Sequence, residues 1–411
     1  MKNLAISALI LISIFGQLLA QYQDEVLVTR ARDAIANFNI TTADSSYKAA
    51  MKASPDEDRY NEIQTEWGIL EQINVRLTDG GRALGRQEYD EANKKYTEAI
   101  AQMDASPHDI WGRFKGEAYF SIGMIHFRQD QPIQAANKFR EAIQYNPGEE
   151  KYGTAIEMVR NNHYSEGHKK IRRKDLSGAK VEYEKCVAVD PTFAPGYYQL
   201  AYIAKKDGDY AAAESYYRDA VTSDPTHFKS WYGLGNLYSR QGKNDQAIKS
   251  LNQSIAINAS YEKAYYSLGK VYESQKNLNL AISNLKKAIE IDKSYALAYE
   301  LLGKIYIDQE KYDSAIALLG GLKGPTVTDK TAYALAQAHN SKGNYSAALT
   351  AASTSLSKAK KKPWAPAQIE KGDALRGLGR NKEAIASYRL ALKDARWRSL
   401  AQHRIDELMK N

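Results

Sequence analysis

From residue 194 onward one skeleton of large and small residues returns every 34 positions, which leaves few folds open to the chain. Tyr197, Leu200, Ala201, Gly208, Tyr210, Ala213, Tyr217, Ala220 and Pro225 form one copy. The next carries Trp231, Leu234, Gly235, Tyr238, Gly242, Ala247, Leu251 and Ile255. Tyr265, Leu268, Gly269, Tyr272, Ala281, Leu285 and Ala288 follow, then Tyr299, Leu302, Gly303, Tyr306, Tyr312, Ala315 and Leu319. Spacings of i, i+3, i+4 and i+7 put Trp231, Leu234, Gly235 and Tyr238 on one face of a helix. Gly235 costs roughly 1 kcal/mol of helix propensity, but it removes the side chain that would hold a second helix away. Ala247 offers the matching small surface. Gly208 and Gly242 suit the turn between two helices, and Pro225 suits the start of the next.

The skeleton persists outward in weaker form. Leu335, Ala336, Gly343, Tyr345, Ala348 and Ala352 give a copy starting near 329; Gly372, Leu375, Gly379, Ala384, Tyr388 and Ala391 give one near 365. Pro325, Pro363 and Pro366 mark junctions, and residues 397–411 read as a final helix that covers the last face with Ile405 and Leu408. Toward the N-terminus, copies start near 160, 116 and 73. The one near 160 has a poor first helix, with His163, Glu166 and Lys170 where large apolar residues stand elsewhere. Extra residues around Pro107–Lys115 and Glu150–Val159 either lengthen helices or form loops. Residues 21–72 have helical patterns with breaks expected near Thr41–Ser45 and Ser54–Pro55, and make either degenerate repeat helices or a distinct cap.

The motif of large apolar, Leu, Gly and Tyr in a first helix, then Ala, a large residue, Ala and Pro in a second, resembles the tetratricopeptide repeat family. That resemblance implies an all-α, right-handed superhelical solenoid of antiparallel helix pairs, here nine copies. The expected divisions are a 1–20 leader, a 21–72 cap or degenerate region, two repeats with insertions over 73–149, an irregular repeat and bend over 150–193, four regular repeats over 194–328, two divergent repeats over 329–396, and the 397–411 cap. The family exposes positions 2, 5, 9 and 12 of each first helix on its concave side. Carried onto this chain, these are Pro195, Tyr198, Tyr202 and Lys205; Lys229, Tyr232, Asn236 and Ser239; Lys263, Tyr266, Lys270 and Glu273; and Leu297, Glu300, Lys304 and Ile307. Tyr198, Tyr202, Lys205, Lys229, Tyr232, Asn236, Lys263, Tyr266, Lys270 and Lys304 are the expected partner-binding set, although tyrosines at this spacing also serve simply to pack neighbouring repeats. The family's function implies a protein or extended peptide as partner.

Lys2, an apolar run from Leu4 to Phe15 and a close on Ala20 have the three sections of a secretory leader. Residues 1–20 are therefore expected to direct export, to the periplasm or outside, with peripheral association with the cell envelope and its complexes. The formal charge is +8, or about +7 without Lys2, which steers toward acidic partners without identifying one. A single cysteine, Cys186, excludes an intrachain disulfide and leaves stability to packing. Basic runs at Lys169, Lys170, Arg172, Arg173 and Lys174 and at Lys358–Lys362 lie where helix C-termini favour cations. They also suit a wall polymer or an anionic membrane surface. Nucleic acid is disfavoured by export and by the balancing carboxylates.

Nothing points to catalysis or a cofactor. His163, His168 and Cys186 lack metal-site spacing, and Cys186 takes a position that Ala220 and Ala288 fill elsewhere. The sequence contains neither a phosphate-binding glycine loop nor an HExxH pair. An enzyme would require a pocket assembled by the unassigned N-terminal region.

Overall fold

Small residues set opposite large ones bring the helices of this chain together in pairs. The computed structural model describes residues 2–360 and 364–410, with side chains from residue 13 onward, so Lys361 and Lys362 of the second basic run and the junction at Pro363 lie outside the described residues. Two compact units divide the chain, one up to Ile203 and one from Ala204.

In the N-terminal unit, α1 (Lys2–Ala36) pairs with α2 (Ile40–Ala53), and α3 (Glu57–Gly85) with α4 (Tyr89–Asp104). Next, α5 (Gly112–Arg128) pairs with α6 (Pro132–Tyr145), and α7 (Glu150–Arg172) with α8 (Leu176–Val189). Helix α9 (Ala194–Asp207) carries the division between units. In the C-terminal unit, α10 (Tyr210–Ser223) precedes the pairs α11 (Phe228–Arg240) with α12 (Asn244–Ile257), and α13 (Glu262–Ser274) with α14 (Leu278–Ile291). There follow α15 (Ala296–Asp308) with α16 (Tyr312–Leu319), α17 (Asp329–Ser341) with α18 (Tyr345–Lys358), and α19 (Ala365–Gly377) with α20 (Asn381–Ala391). Helix α21 (Arg398–Lys410) closes the series by burying Ala401 and Ile405 in one cluster with Ile369, Leu375, Ala384 and Tyr388. The fold is all-α, built of stacked antiparallel helix pairs.

One spacing explains the pairing. A glycine on the first helix of a pair sits under a large side chain 16 residues later on the second: Gly123 under Phe139, Gly167 under Tyr183, Gly235 under Leu251, Gly269 under Leu285, Gly303 under Leu319 and Gly372 under Tyr388. A Cβ on any of these glycines would lie between 2.3 and 2.9 Å from that side chain, closer than carbon atoms approach. Gly235 thus makes room for Leu251 and for the Ala247 carbonyl at 3.2 Å, rather than for the Ala247 side chain. The turns inside the pairs also repeat. After α11, Gly242 takes a left-handed φ of 73°, its N–H donates to the Ser239 carbonyl, and the Lys243 N–H reaches back to that of Tyr238, two bonds that satisfy carbonyls at the helix end.

Two features of the N-terminal unit differ from the sequence expectation, and a third resolves an alternative that it left open. The break expected at Thr41–Ser45 lies earlier, because Asn39 accepts from the Thr42 N–H and caps α2, so the polar run is the first turn of a helix. Helix α3 is continuous across the division drawn at 72, and Ile63, Leu70 and Ile73 are buried along it. The insertion before residue 160 lengthens α7 to 23 residues, whereas the earlier one leaves a connection between α4 and α5. Burial along α1 begins at Asp24, whose carboxylate pairs with the Arg59 guanidinium at 3.1 Å; Phe15, Leu18 and Leu19 are exposed. Among the described residues no helix is long and apolar enough to cross a membrane.

Candidate functional site

The expected partner-binding residues fall into two groups. Tyr198 and Tyr202 are half-buried on α9. Lys205 is half-buried too, and burial, reinforced by Arg240 and Lys206, holds its ammonium pKa below the usual lysine range. On α11, Lys229 is exposed beside the Phe228 ring, and Asn236 is tied into the scaffold: its Nδ2 donates to the Tyr232 carbonyl and its Oδ1 accepts from Ser267 Oγ at 2.9 Å. The tyrosines follow a rule of their own. An aromatic ring of a first helix, on its second turn in α11, α13 and α17 and further along the lengthened α7, meets the ring that stands just before the next such helix: Tyr164 with Phe193, Tyr232 with Tyr261, Tyr266 with Tyr295 and Tyr333 with Trp364, all at 5.1–5.4 Å between centroids and near edge-on. Each pair locks successive first helices, and its rings are half-buried.

In the C-terminal unit these rings wall a groove. A chamber of about 430 Å³ is lined by Tyr266 of α13, Leu297, Leu301 and Ile307 of α15, Tyr333 of α17, and Trp364. Charges stand at its rim in pairs: Lys304 with Glu273 at 3.0 Å and Asp308 at 3.8 Å, and Lys330 with Glu300 at 3.5 Å. Lys263 and Lys270 lie 5.9–6.0 Å from the Tyr261 and Tyr266 rings. Thus Tyr266 and Lys304 of the expected set meet in one site, together with Leu297, Glu300 and Ile307.

A second chamber of about 370 Å³ shares Ile307 and Gln337 with the first and continues to Asn340, Glu370, Asp373 and Arg404. Its arginines are balanced. Asp373 Oδ1 lies 3.3 Å from Arg404 Nε and accepts from the Tyr388 hydroxyl at 2.7 Å, while Glu407 holds Arg376 at 3.0 Å and Arg404 at 3.5 Å. Glu370 differs: its carboxylate accepts from Asn340 Nδ2 at 2.8 Å and forms no ion pair with any described residue. Burial, with the Asp373 charge nearby, pushes its pKa up to about 7, against hydrogen bonds from Asn340 and Gln337 and the pull of Arg404.

Sequence reasoning did not single out Lys330, Tyr333, Gln337, Trp364 or Glu370. The first three continue the 2, 5, 9 register into the copy starting at 329, which is the signal that finds them.

Elsewhere the candidate chemistry is occupied. His163 Nδ1 lies 2.7 Å from Glu182, which also takes Lys170 at 3.0 Å; although burial opposes it, these bonds hold the Glu182 carboxyl below its usual range. In the basic run, Lys170 is therefore neutralised, Lys169 pairs with Glu166, and Arg172, Arg173 and Lys174 remain exposed. A polar pocket of about 200 Å³ at Phe38, Arg113, Asn146 and Glu149 includes Glu117, which accepts from the Tyr152 hydroxyl at 2.8 Å and from Lys151. Cys186 is fully buried, and burial pushes its thiol up to about 12. Iodoacetamide at pH 8 is therefore expected to label the native chain at least a hundredfold more slowly than the urea-unfolded chain, read by intact mass; equal rates would contradict this burial.

Sequence models of the tetratricopeptide repeat match residues 194–227, 216–249, 235–276, 273–339 and 333–399. Similar solved structures include MamA, 26% identical over 44% of this chain and 96% of its own, with a TM-score of 0.35. PilF of Pseudomonas aeruginosa is 16% identical over 49% of this chain and 92% of its own, at 0.43. YrrB, a repeat protein with an unusual peptide-binding site, is 18% identical over 53% and 98%, at 0.33. No curated protein matches the chain in sequence.

Proposed function

Because the chain belongs to the tetratricopeptide repeat family, whose fold binds proteins and peptides without catalysis, we propose that it is a scaffold whose C-terminal unit grips an extended segment of a partner protein. The observation that carries this reading is the pair of chambers from Tyr266 to Arg404, which share Ile307 and Gln337 in their walls. An apolar, aromatic wall supplies area to bury, and polar groups along the floor fix orientation and register. Paired rings hold the wall in place before a partner arrives, which reduces the ordering cost of binding. The setting proposed for this scaffold is an exported one, periplasmic or extracellular, where it organises a cell-envelope assembly; the leader-like residues 1–20 support that part.

Crosslinked co-purification from the native host, comparing the wild type with Tyr266→Ala/Tyr333→Ala, tests the groove. Each substitution removes a half-exposed ring from the wall, so capture of the partner is expected to fall at least tenfold while helicity measured by circular dichroism is retained. Undiminished capture by the folded double variant would reject the groove as the binding surface. A second reading, attachment to wall polymer or an anionic membrane surface, has the exposed Arg172, Arg173 and Lys174 in its favour. Co-sedimentation with envelope fractions that survives neutralising these three residues would remove it.

A further inference from the structure

We propose that the groove of the C-terminal unit selects a segment carrying a lysine or arginine, seated at Glu370, a few residues from an apolar or aromatic side chain that fills the chamber beside Trp364. This inference rests on the groove reading and adds the chemistry of the occupant. It runs against the expectation that a chain of formal charge +8 takes acidic partners, because the cations lining the groove are already paired.

The charges along the groove decide the sign. Four cations, Lys304, Lys330, Arg376 and Arg404, line the chambers with four carboxylates, Glu300, Asp308, Glu370 and Asp373, and Glu273 and Glu407 pair with cations from outside the lining. Every one of the four cations has a carboxylate within 4 Å. An acidic segment would have to displace one of those partners and leave it uncompensated. A basic segment displaces no ion pair at Glu370, which has none among the described residues. The hydrogen bonds it accepts from Asn340 and Gln337 leave acceptor capacity on a carboxylate that can take several donors.

Neighbouring groups suit a cation there. The Tyr333 ring packs against Trp364 at 5.2 Å, and burial together with the Glu370 charge raises its hydroxyl pKa. A ring face next to a partly buried carboxylate favours ammonium and guanidinium groups by cation–π attraction added to the ion pair. Gln337 lines both chambers, so a chain crossing from one to the other passes its amide. Asp373 and Arg376 face the same space from α19 and Arg404 from α21; their mutual pairing makes Glu370 the one carboxylate there with charge to offer.

The test is a positional-scanning array of acetylated, amidated decapeptides, each with one Leu, Phe or Trp anchor and with Lys, Arg, Gln or Glu at every other position in turn, probed with the full chain. Expected is selection of Lys or Arg within about five residues of the anchor. For the best sequence, Glu370→Gln should weaken binding about tenfold while leaving the anchor preference intact, and wild-type affinity should rise from pH 6 to pH 8 as Glu370 ionises. Selection of Asp or Glu, or a basic preference unchanged in Glu370→Gln, would overturn the inference. Tyr266→Ala/Tyr333→Ala separates the two levels: if peptides bind, are lost in that variant and show no basic preference, the groove stands and only the charge assignment falls. If no peptide binds the wild type, both fall.

Discussion

Gly372→Ala is expected to destabilise the C-terminal unit by about 2 kcal/mol, a large effect for one methyl group. A Cβ at this position would lie 2.3 Å from Tyr388 Cε1 and 2.6 Å from Cδ1. The ring has nowhere to retreat: it is fully buried among Ile369, Leu375 and Ala384, and its hydroxyl is fixed on Asp373 at 2.7 Å. Relief requires separation of α19 from α20 or loss of that hydrogen bond. The gain in helix propensity from glycine to alanine, roughly 1 kcal/mol, offsets only part of the overpacking. Urea denaturation of four chains measures the coupling: wild type, Gly372→Ala, Tyr388→Ala and the double variant. In the Tyr388→Ala background the alanine at 372 has an empty space to enter, and its cost should vanish or change sign. An equal cost in both backgrounds would mean that the Gly372–Tyr388 contact is not what brings these helices together.

That contact also shows where sequence was sufficient. A glycine and a large residue 16 positions apart recur from Gly123 and Phe139 to Gly372 and Tyr388, and both members are local to one helix pair, so their repetition betrays the architecture. Helix ends were legible for the same reason, Gly242 being a turn residue at a fixed offset from Tyr238. The long helices α3 and α7 were less so, because a pattern that restarts inside a continuous helix looks like a new element. In the groove, Tyr266, Leu297, Glu300, Lys304 and Ile307 follow from register alone, and Tyr333 follows if the register is carried one copy further. Trp364 does not, since it precedes its helix and joins the wall only through the ring of Tyr333. Glu370 falls one position outside the register. Its environment depends on Asn340 from α17 and on Arg404 from α21, and no single helix encodes that enclosure.

Glu370→Gln is expected to stabilise the chain at pH 8 by about 2–3 kcal/mol and to leave stability at pH 4 nearly unchanged. The direction follows from a folded-state pKa of about 7 against an ordinary value of 4.5. Below about 4.5 the group is protonated in both folded and unfolded chains, and its contribution is then at its most favourable. Between 4.5 and 7 the unfolded chain releases the proton while the folded one retains it, so stability falls as pH rises; above 7 the folded chain carries the carboxylate and the full cost is present. Glutamine keeps the shape and accepts from Asn340 without the charge. Urea midpoints of both chains at pH 4, 6 and 8 should therefore diverge with rising pH, and a constant difference would refute the linkage. A cation-bearing peptide in the groove reverses the argument: it compensates the carboxylate, so at pH 8 it should raise the wild-type midpoint more than that of Glu370→Gln and release protons on binding near pH 7. A carboxylate that weakens the empty fold near neutral pH and strengthens the occupied one is the thermodynamic signature of a binding group, whereas a merely structural glutamate would leave the peptide's effect the same in both chains.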